Sequence, residues 1–325
     1  RHTRYWRDWS SDVCSSDLGG FRGGSGNYAV GTAEDSSGFG PGGGQRGVNE
    51  SWGNFGGGGS YGSAGLGANG SGSTYGNPSL IPLIGGSGAG GRNVYYYGVS
   101  PGGVGGGAGG GAMLIACGKT LTIAGRIHAN GGAGYFQIDP DGGKDAAAGS
   151  GGGIRLVCEA FVSTGLVQCL GGEARNRFPG GLGRIRLERV TAMTAPTFTM
   201  VPEPSVVKLA SGTTPQIWMP TNGPTVQVIS IGDNAAPADP RAGFGAIGAD
   251  VVLPNVTSTT VIVETRNVEQ ASVVTVRATP RSNGLYTEAV ATVTKVISQD
   301  PLVLQWTANV PVQNGYSAKI GRAHV

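Results

Sequence analysis

The chain has 325 residues, 63 of them glycine, with 13% charged residues and a formal net charge of +3. Charge this sparse and balanced forms no basic face for gripping phosphates, so nucleic acid is not an expected partner. No run of eighteen or more apolar residues occurs, so the sequence offers no transmembrane helix.

The first stretch, residues 1–18, is hydrophilic and unlike the glycine-rich sequence after it. Residues 1–4 and 8–18 match the translation of a sequencing-library adapter residue for residue, and residues 320–325 match the translation of its other arm. Such flanks carry no information about fold. The biological sequence is therefore expected to be residues 19–318, with Lys319 at the junction. Trimmed in this way, the chain keeps 19 Lys plus Arg, 17 Asp plus Glu, three cysteines (Cys117, Cys158, Cys169) and His128 as its one histidine.

Composition then divides the chain. Residues 19–183 hold 54 glycines in 165 positions, whereas residues 184–319 hold eight in 136. Residues 19–84 show no hydrophobic period and mix glycine with serine and scattered aromatics, so they are expected to be a flexible or loosely packed low-complexity segment. From residue 85 glycine alternates with apolar runs, and a repeat emerges. Residues 109–132 and 151–172 share an order of three glycines, a β run, a glycine, a second β run and Gly-Gly; residues 181–190 begin a third copy. Period-two alternation places Ile154, Leu156 and Cys158 on one face and Arg155, Val157 and Glu159 on the other. In the third copy Ile185 and Leu187 point inward. Stacked copies would bury these faces and bring Arg155 near Arg186, with Glu159 and Glu188 available to offset the charge. Glycine runs between strands would pack backbone to backbone in polyglycine II geometry.

The copies resemble those of glycine-rich bacterial surface or secreted proteins with GGG-IRL type repeats and, more distantly, the glycine-rich adhesin tips of phage tail fibres. The resemblance covers about residues 85–190. It implies a structural or adhesive role and supplies no catalytic residues.

Residues 193–319 carry short β-rich runs between turn signals, and their spacing predicts an antiparallel β-sandwich. Val261, Val263, Val274, Val276, Val290, Val293, Trp218 and Trp306 are the expected inward residues. The cut at Lys319 falls where a last strand could be lost. The expected class is all-β: a glycine-rich, stacked, solenoid-like repeat module over residues 85–192, followed by the sandwich.

Motifs for chemistry are few. The G-x-G-x-x-G match at residues 243–248 lacks the preceding strand and following helix of a dinucleotide site, since Pro237 and Pro240 stand before it. Gly118-Lys119-Thr120 lacks the upstream glycine of a phosphate loop, and Gly58–Gly62 matches the nucleophile-elbow pattern only within a Gly/Ser tract. Cys117, His128, Cys158 and Cys169 make a nominal zinc set, but the close cysteine pairs typical of zinc are absent. A disulfide, Cys158 with Cys169 or Cys117 with Cys158, is an alternative, and plain buried thiols are a better one. Asp139, Asp141 and Asp145 on a glycine-rich loop could ligate calcium, although a solvated turn is the better reading. Arg92 with Tyr95, Tyr96 and Tyr97 could form a patch that stacks on sugar rings or another surface.

No set reaches catalytic status, and no cofactor is expected. The expected function is a non-enzymatic structural or adhesive module, extracellular or at the cell surface, with glycans or surface proteins as partners. A virion adhesin and a glycine-rich nucleic-acid-binding or condensate-forming protein are the alternatives.

Overall fold

The computed structural model describes residues 19–26, 37–47, 56–67, 70–92, 104–137, 144–174, 178–191, 199–217, 220–237, 250–280, 285–313 and 317–324. These contain no helix; every regular element is a strand. The fold is all-β, and its two parts are built on different physics.

In the first part glycine removes the side-chain layer that normally separates chain segments. Among the described residues, twelve extended rods lie side by side: 19–26, 37–39, 43–47, 56–60, 63–67, 70–75, 85–92, 104–111, 129–135, 146–152, 169–174 and 178–183. Bonds to a given neighbour recur every third residue. Gly86 and Ala89 N–H donate to Gly110 and Gly107 carbonyls, while Gly107 and Gly110 donate to Ala147 and Ser150. That spacing is the three-residue turn of the polyproline II type of helix, which has no internal hydrogen bonds and turns its polar groups outward.

Two rods are bonded to six neighbours each. Rod 85–92 exchanges hydrogen bonds with 19–26, 37–39, 43–47, 56–60, 104–111 and 146–152. Rod 146–152 does so with 56–60, 85–92, 104–111, 129–135, 169–174 and 178–183. The contact is closer than any side chain permits: a Cβ on Gly149 would lie 1.9 Å from the Ala108 carbonyl oxygen. Apart from Arg92 at the end of one of them, only small side chains share these central rods, and Ser87, Ala89, Ala147, Ala148 and Ser150 are completely buried. Backbone hydrogen bonding thus takes the place of an apolar core.

Within the segment 19–84, expected to be flexible or loosely packed, the described residues include six of the twelve rods. The absence of a hydrophobic period points to an unpacked chain only where packing depends on side chains, and this packing does not. Tyr61, Tyr75 and Leu80 plug one end of these rods, with the two rings 4.7 Å apart. Burial pushes the Tyr61 hydroxyl above its usual range, against the opposing effect of nearby Arg184.

At the same end the chain runs out of the rods into strands. These are β1 (Ala112–Ile123), β2 (Arg126–His128), β5 (Gly153–Ser163), β6 (Leu166–Gln168), β7 (Arg184–Arg189), β8 (Thr199–Val201) and β9 (Ser205–Lys208). At the far end β3 (Phe136–Gln137) and β4 (Lys144–Asp145) form a hairpin. Strands β1-β5-β7-β9 and β2-β6-β8 form two parallel sheets with equivalent residues in register: Ile115 opposite Leu156, Ile154 opposite Ile185, Leu156 opposite Leu187. Ile154, Leu156, Cys158, Phe161, Val167, Ile185 and Leu187 fill one core.

On the outer side Arg155 and Arg186 are direct partners in register, and both guanidinium groups bond Glu188 Oε1, from Nε at 3.0 and 3.2 Å respectively. Arg155 is nearly fully buried and also donates to the Gln216 and Ile217 carbonyls. Its charge is therefore balanced by one carboxylate shared with a second arginine. Glu159 points elsewhere and pairs with Lys119 at the surface.

The carboxy-terminal strands are β10 (Thr225–Ile231), β11 (Asn234–Ala235), β12 (Ser258–Arg266), β13 (Val273–Pro280), β14 (Thr287–Gln299), β15 (Leu302–Pro311) and β16 (Ser317–His324). They form one continuous sheet in the order β11-β10-β12-β15-β14-β13-β16, curled into an antiparallel half-barrel. These seven strands are joined in this one hydrogen-bonded sheet around a shared core. Two runs expected in that domain, β8 and β9, instead extend the parallel sheets.

Val261, Val263, Val274, Val276 and Trp306 are inward as expected, and the Trp306 indole N–H donates to Thr265 Oγ1 at 2.8 Å. Val290 is not: β14 pairs Ala289 with Val276 and Ala291 with Val274, which leaves Val290 64% exposed. An irregularity between Val293 and Lys295 breaks the register of the strand, and Val293 packs partly against the core. Trp218 lies outside the described residues. Residues 320–324, expected to be foreign to the fold, pair in β16 with Val273–Arg277. Strand pairing uses backbone groups common to all residues, so an open β13 edge accepts this sequence.

Candidate functional site: the crossover end of the glycine bundle

The rods alternate in direction, and the chain leaves and re-enters the bundle at 26/37, 47/56, 67/70, 92/104, 137/144 and 174/178. All six crossings lie at one end. Gly24 bonds Ala89 and Gly106, Gly47 bonds Gly91, Gln45 bonds Gly70, Tyr135 bonds Gly105, Gly134 bonds Glu173 and Ala148 bonds Phe178. The opposite end is closed by the tight turn at Gly40–Gly43, the Tyr61–Ser63 turn and the parallel sheets. Loops grouped on a fixed framework are where recognition residues concentrate in proteins generally.

Two of the patches anticipated from sequence are rooted here side by side. Arg92 forms a two-way backbone bridge with Val104 at 2.9 and 2.8 Å, which fixes the root of the crossing that carries Tyr95, Tyr96 and Tyr97. Those three tyrosines lie outside the described residues. Arg92 is 9% exposed. Asp139 and Asp141 also lie outside the described residues. Asp145 is placed by its backbone, opposite Phe136 in the β3–β4 hairpin. The Tyr135 N–H reaches the Gly105 carbonyl and so ties the hairpin's root to the Arg92 crossing. Tyr135 itself is 54% exposed. Sequence reasoning passes over it, although its place immediately before the Phe136 strand, after a glycine run, marks a rod terminus.

The cysteine and histidine set behaves differently. Cys117 and Cys158 are partners in register on β1 and β5, and His128 lies on β2 opposite Gln168. Cys169 Sγ contacts the Arg184 carbonyl at 3.5 Å. Among the described residues no three His, Cys, Asp or Glu side chains are placed to hold a metal ion, so the four do not converge as a zinc site. All three thiols are free. Burial raises Cys158 to about 11, with a smaller push from Cys117, and raises Cys169 to about 12.

Two clefts, of about 190 and 400 Å³, lie at Arg184–Ile185 and at the β1–β2 and β5–β6 turns, away from the crossover end. Among the described residues no helix is long and apolar enough to cross a membrane. Among family models, curated proteins and solved structures, none matches this chain.

Proposed function

We propose that the chain is a non-catalytic structural or adhesive module of a secreted or cell-surface bacterial protein, with recognition at the crossover end of the glycine bundle. The observation that supports this reading is the grouping of six crossings at one end of a bundle whose opposite end is occupied by sheets. In this reading the parallel layers are successive copies of one stacked, solenoid-like repeat. The bundle holds the crossings, and the tyrosine-bearing one between Arg92 and Val104 supplies aromatic faces for sugar rings.

The test is retention of the labelled chain on bacterial cells and on an array of surface glycans. Replacing Tyr95, Tyr96 and Tyr97 together by alanine is expected to lower retention at least tenfold with unfolding unchanged. Equal retention would remove the tyrosines from the reading. Absence of binding to both, with binding to single-stranded DNA or RNA that falls steeply with salt, would replace it by the nucleic-acid alternative.

A further inference from the structure

The two half-repeats that carry β1 and β5 each place a cysteine at the same level, and the register makes them direct neighbours. Adjacent strands run about 4.8 Å apart, inside the roughly 4.4–6.8 Å between α-carbons that a disulfide spans. Both side chains pack toward the same core, so their Cα–Cβ bonds point the same way. As the thiols stand, Cys117 Sγ donates to the Thr120 carbonyl at 3.4 Å and Cys158 Sγ contacts the Glu188 carbonyl at 3.9 Å. Each sulfur therefore needs a side-chain rotation to meet the other. The backbone offers slack at that point, because the β1–β5 register shifts between Cys117 and Thr120. Cys169, the alternative partner, is fully buried and turned toward Arg184.

We propose that Cys117 and Cys158 are an oxidisable pair that forms a disulfide between β1 and β5 when the protein meets an external small-molecule disulfide. Cys117, only half-buried, reacts first. Its thiolate attacks one sulfur of the external disulfide, forming a mixed disulfide and releasing one small thiol. The Cys158 thiolate then attacks the Cys117 sulfur and releases the second small thiol. Two protein thiols are oxidised, one external disulfide is reduced to two thiols, and the two protein protons end on those leaving thiols. The bond fixes edge strand β1 to the interior of its sheet.

The test uses the full chain with Cys14→Ser, equilibrated with oxidised glutathione, denatured in an alkylating agent and weighed by mass spectrometry. The expected product has one alkylatable thiol where the reduced protein has three, and one cross-linked peptide pair containing residues 117 and 158. Cys117→Ser or Cys158→Ser is expected to leave no internal link, whereas Cys169→Ser keeps it. Backbone amides of β1 are expected to exchange at least tenfold more slowly in the oxidised form. Three free thiols after equilibration, a glutathione adduct that stays on Cys117, or a link through Cys169 would each overturn the proposal. The adhesion assay involves neither cysteine, so either reading can fail alone.

Discussion

The Ser87 N–H donates to Ser150 Oγ at 2.8 Å, and Ser150 Oγ donates to the Ser87 carbonyl at 3.3 Å, on the line where the two six-neighboured rods touch. Ser87 Oγ in turn bonds Tyr75 and accepts from the Gly42 N–H at 2.9 Å. The two hydroxyls therefore stitch two rods, the Gly40–Gly43 turn and the aromatic plug together. Ser150→Ala leaves the Ser87 N–H buried without its acceptor, and the expected loss is about 1–3 kcal/mol in urea unfolding. A loss below a few tenths would mean that water or a backbone shift takes the hydroxyl's place.

Gly149→Ala sets a methyl group against a carbonyl oxygen in the middle of the bundle. Backbone on both sides has to move, so the expected cost is on the order of 4 kcal/mol, in the range that marks a severe core change. Gly118→Ala is the control, since a Cβ there meets nothing within 4 Å. It should leave stability unchanged or raise it by about 0.4–1 kcal/mol. Thermal unfolding of the two variants separates lattice packing from a general intolerance of glycine loss.

The buried thiols make the fold sensitive to alkali. Cys158 at about 11 and Cys169 at about 12 are both raised by burial. In the unfolded chain such thiols ionise near about 8.5. Their contribution is thus complete below pH of about 8.5 and is lost as pH rises through the folded values. Unfolding free energy is expected to fall between roughly pH 9 and 12, and a Cys158→Ala, Cys169→Ala variant should show a shallower decline over that window. Parallel curves would indicate that tyrosines or backbone chemistry dominate.

Deleting residues 320–325 removes the partners of Val273–Arg277 in β16. Hydrogen exchange of the β13 amides directed at β16 is expected to accelerate at least tenfold, while those directed at β14 stay protected. If both sets remain protected, the pairing contributes nothing to the sheet in solution.

Much of the strand content is legible because its signal is local. Alternation sets the faces of Ile154, Leu156, Ile185 and Leu187, and the repeated Gly-Gly-Gly punctuation aligns the copies closely enough to pair Arg155 with Arg186. Parity fails at Val290, where alanines on either side occupy the core positions and no single-sequence pattern distinguishes the inward phase. The glycine bundle is legible in kind but not in extent. Every glycine looks alike in sequence, so nothing in residues 19–76 tells a rod from a tether. What separates them is whether neighbouring rods are present to bond, and that is decided by the whole chain. The grouping of Arg92 and Asp145 at one end follows from the alternating rod directions, which are likewise a property of the assembled bundle.

The Arg277 guanidinium reaches from β13 to the Gly40 and Gly43 carbonyls of the closed-end turn, while its cation stacks over Tyr286 at 3.8 Å and its Nη2 pairs with Glu288 at 2.7 Å. The half-barrel thus grips the one kind of polar group that a glycine rod offers in quantity. It does so at a turn opposite the crossings. The carbonyls held by Arg277 belong to this turn and to none of the six crossings, so sequence can change between the rods at the free end without touching them.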